Sequence, residues 1–412
     1  MISGANLMNK YDDKQMMKIC ILCQREPNPN LGGIERVSYS LAKELAGRGI
    51  SVFFVFSRSS ISPMNEDCFP MHCLPNRTID SGENVDFVSS LLGDNDSDIL
   101  LNQAANRVEF VNLCSKVFER DPSVKIVSAI HFAPHQEWIS LKSNCFLSKF
   151  GEYKPLKFRI ARFFNDLMLG FKKGKVLEAE TSLLRRVAEI SRKVVVLSDA
   201  YVDEFSQMSS SDNIISIPNF IEKKEIDCNL GYKEKMVLYV GRLEYGLKRV
   251  DRLLHIWKEI EQKIPDWRLV VVGDGDYRRS FESLAKHLGL KHICFAGNQN
   301  PDIYYERASI ICLTSSSEGL PMVFLEAVQY ACVPISYDSF ASLSDIVTNG
   351  ENGFAVTPFQ QDEFVEKLSL LMTDNQLRVG MAMKEILVME KYDAQVIVPK
   401  WIELFGSLSH AN

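Results

Sequence analysis

Residues 315–327, SSSEGLPMVFLEA, set two carboxylates around one turn: Glu318 and Glu326 stand eight positions apart. On one unbroken helix that separation, a little over two turns, would put them roughly 80° apart around the axis. Pro321 argues against an unbroken helix, because proline suits a first helical position and disrupts an interior. The sequence therefore predicts Glu318 on a loop and Glu326 on the second turn of a helix beginning near Pro321. Two acids are thereby aimed into the space around one helix N-terminus.

Cations and glycines elsewhere are further candidates for binding chemistry. In NLGGIERVSYSLAKEL (30–45), a proline-containing loop leads to Gly32 and Gly33 and then into a helix. Adjacent glycines let the backbone approach a ligand closely, and a helix N-terminus favours an anion such as phosphate. A plain tight turn from strand to helix would use the same glycines. The pattern is not GxGxxG, and no acid ends the following run ISVFFVFS, which argues against a dinucleotide site.

In LYVGRLEYGLKRVDRLLHIWKEI (238–260), Arg242 falls just past an apolar run, and Lys248 and Arg249 fall near the start of the next helix. Doubly wound folds bind ligands at the carboxyl ends of strands, where arginine can fork onto a phosphate and lysine supplies a mobile point charge. Arg242 is read as functional, Arg249 and Arg252 as a solvated basic face. His131 ends the run VKIVSAIH, and His135 follows four later. A histidine there can orient a substrate hydroxyl or be a satisfied structural ring.

Other clusters read as scaffold. Asp274-Gly275-Asp276 looks like a DxD metal pair, but a turn with positive φ and a capping aspartate explains it more simply. DNDSD (94–98) reads as a solvated loop. Cys68, His72 and Cys73 have no second ligand pair nearby, so zinc is not expected. The stretch 149–175 interleaves lysines and arginines with Phe150, Phe158, Phe163, Phe164 and Phe171. It suits either a helix lying in an anionic membrane interface or a packing helix with a wet cationic face.

The elements that must position these residues follow a clear rhythm. Short β-branched runs (KICILC, ISVFFVF, DILLN, VKIVSAIH, KVVVLS) alternate with helical sequence, and the rhythm restarts after the charged, turn-rich segment 220–235 with MVLYVGR, RLVVVGDG, HICFAG and SIICLTSS. That is the signature of βαβ units and parallel sheets. A chain of 412 residues favours two domains. The expected division is a loose extension over 1–15, a Rossmann-like domain over 16–222, a second over 233–391, and a C-terminal helix within 392–412. That helix either crosses back to the first domain or packs on its own.

Hydrophobic content of 46% with 24% charged residues is ordinary for a globular chain, and a net charge of −6 with pI near 5.8 argues against a general nucleic-acid binder. The ten cysteines are scattered, several in apolar runs (Cys20, Cys23, Cys294, Cys312, Cys332), and are expected to be reduced, buried thiols of a cytoplasmic protein. With no run of 18 apolar residues, a membrane contact is expected to be peripheral.

Taken in order, GGIERVSYSLAKELAGRGISV, ISIPNFIE, YVGRLEYGLKRVDRLL, SSSEGLPMVFLEAVQYACVPISYD and SDIVTNGENGFAV resemble the retaining glycosyltransferases of family 4. The resemblance implies the α/β GT-B fold, two Rossmann-like domains with parallel sheets facing across a cleft. It further implies that Glu326 holds the ribose hydroxyls of a nucleotide sugar, and that Glu318 holds the transferred sugar. Arg242 and Lys248 would neutralise the leaving diphosphate, with Gly32-Gly33 closing over it and His131 approaching the sugar. Leu320, Pro321 and Met322 would bring backbone N–H groups and the helix dipole towards the phosphates, and Gly319 would belong to the same nucleotide-sugar site. The family spaces its arginine and lysine five apart and follows the lysine with glycine; here the gap is six and Arg249 stands in the glycine's place. Either Lys248 or Arg249 can therefore reach the diphosphate.

The implied reaction moves a hexose with retention from a UDP-sugar, in preference to a GDP-sugar, to a glycan or lipid-linked acceptor in cell-surface polysaccharide synthesis. No cofactor or metal is expected, since fixed cations can stabilise the leaving group. No carboxylate is placed as a nucleophile, in contrast with the paired acids of retaining glycosidases. A sugar-nucleotide epimerase or phosphorylase of the same fold, or a nonenzymatic nucleotide-sugar-binding protein, are the competing readings.

Overall fold

The computed structural model describes residues 17–29, 33–59, 69–97, 99–146, 156–224 and 233–409. The predicted extension 1–15, Gly32, Cys68, residues 149–155 and half of the segment 220–235 lie outside the described residues.

The strands form two parallel sheets. The first contains β1 (Lys18–Cys23), β2 (Ser51–Phe56), β3 (Met71–Cys73), β4 (Ile99–Asn102), β5 (Lys125–Ala129), β6 (Lys193–Val196) and β7 (Ile214–Ser216), in the order β3-β2-β1-β4-β5-β6-β7. The second contains β8 (Glu234–Val240), β9 (Arg268–Val272), β10 (Ile293–Gly297), β11 (Ala308–Leu313), β12 (Val333–Tyr337) and β13 (Phe354–Val356), in the order β10-β9-β8-β11-β12-β13. Both are Rossmann-like α/β arrangements. Their central strands are almost wholly buried, as in ILLN, ASIICL and VPISY, because a parallel sheet is covered on both faces and every side chain must be apolar or satisfied.

Helices cover the sheets with one apolar face each. The helix Val250–Lys263 buries Leu253, Leu254, Ile256, Trp257 and Ile260, an i, i+1, i+3, i+4 pattern that turns one side to the second sheet. Fully burying one such side chain contributes about 1.5–3 kcal/mol. Strand order reverses between β1 and β4 and again between β8 and β11, and such switch points leave a crevice at the strands' carboxyl ends. In the second sheet β8 and β11 pair directly, Val237 beside Ile310 and Leu238 beside Ile311, so the loops that leave them start side by side.

The chain sorts into two compact units. One comprises Met1–Ala129, Ile190–Arg192 and Ile402–Asn412; the other comprises Ile130–Glu189 and Lys193–Trp401. A helix runs over Ala394–Ser409 with Pro399 inside it. The basic-aromatic segment enters a helix of 35 residues, Leu156–Ile190. No helix among the described residues is long and apolar enough to cross a membrane.

Two details depart from the sequence reading. Cys294 is exposed, not buried: β10 is an edge strand, and only part of its length is covered. Cys20, Cys23, Cys114, Cys312 and Cys332 are buried thiols, and burial raises the Cys20, Cys23, Cys114 and Cys312 thiols far above their ordinary range. Strand β3, only three residues long and centred on a histidine, has no apolar run to announce it; His72 packs edge-on against Phe53 and Phe87.

Candidate active site

The β8–β11 switch point gathers most of the predicted site. Beyond β8 the chain turns through Gly241, where the backbone of the β9 loop comes so close that a Cβ on Gly273 would lie 2.0 Å from the Gly241 carbonyl oxygen. Leu243 N–H donates to the Asp274 carbonyl (2.9 Å), and Asp274 Oδ1 accepts from Gly275 N–H (2.8 Å). The Asp-Gly-Asp turn thus braces the loop that carries Arg242. The Arg242 guanidinium itself reaches outward, its side chain 72% exposed and 3.6 Å from Glu244 Oε2. A long, weakly tethered cation is free to fold onto an anion.

Lys248 follows on the same loop, and its Nζ lies 2.7 Å from both carboxylate oxygens of Glu318. Ser315 Oγ donates to Glu318 Oε1 (2.6 Å), and the Tyr201 hydroxyl donates to the Glu318 carbonyl (2.7 Å). Glu318 is buried and Lys248 partly so, which strengthens their attraction relative to a surface pair. Gly319 is required where it stands: a Cβ there would lie 2.4 Å from the His131 carbonyl oxygen. This close approach brings the His131 backbone against the Glu318 turn. Burial lowers the His131 pKa to about 4, so the ring is neutral near pH 7.

The helix that follows runs from Met322 to Val328 with Pro321 as its N-cap. Glu318 therefore lies on the loop and Glu326 on the second turn. Met322 N–H is already bonded to the Leu320 carbonyl (2.9 Å), and proline has no N–H to give. Pro321 therefore has no N–H to bring towards a phosphate and that of Met322 is engaged within the turn, while Leu320 is buried. Glu326 Oε2 accepts from the buried Tyr305 hydroxyl (2.9 Å), which orients the acid.

Arg249 and Arg252 are not the solvated basic face expected of them. Arg249 is 2% exposed, takes a left-handed φ of 50°, and forks onto Asp251 through Nε–Oδ1 (3.0 Å) and Nη2–Oδ2 (2.9 Å). It stands where the resemblance has glycine and keeps the backbone conformation that favours glycine. With its guanidinium spent on Asp251, Lys248 is the cation that faces Glu318. Arg252 donates to the Thr314 carbonyl (3.2 Å) and lies 3.9 Å over the Phe359 ring; burial, aided by Arg249, lowers its pKa to about 9.

Sequence reasoning did not find Tyr201, Tyr305, Ser315 or Asp251. Ser315, three before Glu318, was visible as part of a polar run, and Asp251 as an acid two beyond Arg249. Tyr201 carried no local signal, since it meets Glu318 across 117 positions. The Glu180 side chain, also unforeseen, is buried 3.9 Å from His135, whose other nitrogen lies 3.3 Å from Glu204; burial, with Glu137 nearby, raises the Glu180 pKa to about 7.

The first unit carries Gly33, which caps the helix Ile34–Ala46 with a φ of 72°. Beyond the carboxyl ends of β1, β2 and β3 it also holds a cavity of about 490 Å³, lined by Gln24, Ser57, Arg58, Arg77, Thr78 and Glu109 among others.

The paired Rossmann-like sheets and this site define a GT-B fold, and solved glycosyltransferase structures share it. HepE of Anabaena, crystallised with UDP and glucose, aligns with a TM-score of 0.72 at 16% identity, covering 95% of this chain and all of its own. In sequence, residues 221–385 match the family model of glycosyl transferases group 1. An uncharacterised glycosyltransferase of Haemophilus influenzae is 33% identical over 51% of this chain and 60% of its own length. The amylovoran biosynthesis glycosyltransferase AmsD of Erwinia amylovora is 29% identical over 53% of this chain and 63% of its own. The chain thus spans a little over 60% of the length of such relatives.

Proposed function

We propose that the protein is a retaining glycosyltransferase of bacterial surface-polysaccharide synthesis. It moves a hexose from a nucleoside diphosphate sugar, UDP in preference to GDP, onto a glycan or lipid-linked acceptor, and it needs no metal. The observation that carries this reading is the Lys248–Glu318 ion pair, held by Ser315 and Tyr201 beside the Tyr305–Glu326 pair, in the region that matches the family. The relation to AmsD supports the polysaccharide setting, and the likeness to UDP-bound HepE is in keeping with a uridine donor.

In this reading Glu326 receives the ribose hydroxyls. Lys248 exchanges Glu318 for a diphosphate oxygen when the donor enters, which frees the Glu318 carboxylate to accept hydrogen bonds from the sugar hydroxyls. Arg242 folds in from solvent onto the same diphosphate. Breaking the sugar–phosphate bond builds negative charge on the leaving group, and fixed cations stabilise it at about 3–4 kcal/mol per essential contact. The acceptor hydroxyl attacks the anomeric carbon from the face that the diphosphate leaves, giving retention without a glycosyl–enzyme bond. Neutral His131 is able to accept a hydrogen bond from a sugar hydroxyl. The cavity lined by Arg58 and Arg77 is the place for the acceptor, and the basic helix following residue 155 the place for contact with the cytoplasmic face of the membrane.

A thermal-shift screen over UDP- and GDP-sugars tests the donor class, since a ligand at 100 times its dissociation constant adds about 2.7 kcal/mol of stability. A UDP-sugar should give the largest shift. Label from the donor appearing as sugar phosphate or an epimerised nucleotide sugar would replace this reading with the phosphorylase or epimerase alternative. Activity abolished by a chelator and restored by a divalent ion would end the metal-independent part.

A further inference from the structure

Four hydrogen-bonded or ionic contacts join the loop before the helix Val250–Lys263, and the first turn of that helix, to the loop after β11. Ser316 N–H donates to the Leu247 carbonyl (2.6 Å), Lys248 meets Glu318, Thr314 Oγ1 donates to the Arg249 carbonyl (2.9 Å), and Arg252 donates to the Thr314 carbonyl (3.2 Å). Arg249 sits at the centre of these contacts and is unusual twice over. A non-glycine residue in the left-handed region is disfavoured, and a buried guanidinium is costly unless it is paired. Asp251 pairs it, but Nη1 stays buried with no hydrogen-bond partner among the described residues. A glycine at 249 with an uncharged residue at 251 would relieve the strain and bury no charge. The arrangement is hard to explain by stability alone.

We propose that Arg249 is the positioning residue for the Lys248–Glu318 pair. Its fork onto Asp251 anchors the side chain to the first turn of the helix, and its carbonyl is held by Thr314, the residue that leads into the Ser315–Glu318 loop. The two anchors fix the left-handed turn immediately after Lys248, and with it the direction in which the ammonium points. Resting on the donor reading above, Arg249 thereby sets where the diphosphate is received, although its own guanidinium does not touch the donor. The extra residue in the Arg242–Lys248 loop makes such an anchor useful, because a longer loop leaves the lysine less constrained.

The test is a double-mutant cycle on thermal unfolding, with Lys248→Met, Glu318→Gln and the pair, run first with Arg249 and then with Arg249→Lys. Lysine keeps the charge but cannot fork. The departure from additivity in melting temperature should fall to roughly half or less in the Arg249→Lys background. An undiminished departure, even in a less stable protein, would overturn the proposal, because a merely structural role lowers all four melting temperatures together. If Arg249→Lys does not fold, Thr314→Val removes the carbonyl anchor alone and should produce the same loss of coupling. In donor hydrolysis, Arg249→Lys should lower kcat about tenfold in the Lys248 protein and under about threefold in the Lys248→Met protein, with donor KM little changed. Should the unaltered protein turn over no nucleotide sugar, the donor reading fails, and the unfolding cycle still decides whether Arg249 positions the pair.

Discussion

Lys248 and Glu318, 70 positions apart in sequence, share a two-oxygen contact of 2.7 Å at the carboxyl end of the second sheet. Sheet topology brings them together: β8 and β11 are neighbours, so the loops that follow them share one crevice. Each residue is therefore the other's partner before any ligand arrives, and the donor must compete for both. Removing one partner strands the other. Lys248→Met should cost about 1–3 kcal/mol of stability and lower donor turnover roughly 100-fold, while Lys248→Met/Glu318→Gln should recover part of the stability and none of the turnover. Denaturant unfolding and nucleotide-release kinetics on the three variants check both.

Gly319 offers a steric prediction. Any Cβ there meets the His131 carbonyl oxygen at 2.4 Å, so Gly319→Ala must push the Glu318 turn or the His131 segment aside. We expect a loss of about 1–3 kcal/mol and a clear fall in turnover. Gly93→Ala, in a helix with nothing within 4 Å, is the control and should gain roughly 0.5–1 kcal/mol. Melting curves of the two variants should move in opposite directions.

Tyr305→Phe removes the hydroxyl that donates to Glu326 Oε2. The acid loses an orienting contact, so donor KM should rise several-fold with kcat nearly unchanged. Stability should fall by about 0.5–1.5 kcal/mol, the usual net worth of one hydrogen bond. A fall in kcat at constant KM would contradict a ground-state binding role for Glu326.

Glu180 and His131 bend the pH–stability curve in opposite directions. Glu180 has its pKa raised from 4.5 to about 7, so the folded chain holds the extra proton between those values and stability is lost as pH rises through that window. His131 has its pKa lowered from 6.5 to about 4, so the unfolded chain holds the extra proton there and stability is lost as pH falls from 6.5 towards 4. Glu180→Gln should match the parent near pH 4.5 and exceed it by roughly 2–3 kcal/mol at pH 7.5. Urea unfolding at the two pH values measures the difference.

Much of this architecture was legible in the residues. Continuous apolar runs such as KICILC and SIICLT announced buried parallel strands, and Pro321 placed Glu318 on a loop and Glu326 on a helix. What escaped were features decided by neighbours distant in sequence or by a single local pairing. Lys248, Arg249 and Arg252 look alike as a basic run; only the fork to Asp251 and the stacking on Phe359 separate the cation that meets Glu318 from one buried and one half-buried guanidinium. Tyr201 and the carbonyl of His131 reach the Glu318 turn from residues more than a hundred positions away, and no local pattern encodes that approach. Cys294 failed for a simpler reason: an apolar run on an edge strand is only partly covered.

The most direct measurement is release of nucleoside diphosphate from a panel of UDP- and GDP-sugars, compared between the parent protein and Lys248→Met. The account predicts release from a UDP-sugar that falls roughly 100-fold in the variant, as expected on losing one cation aimed at the leaving group. No release from any nucleotide sugar, or equal release by both proteins, would contradict it.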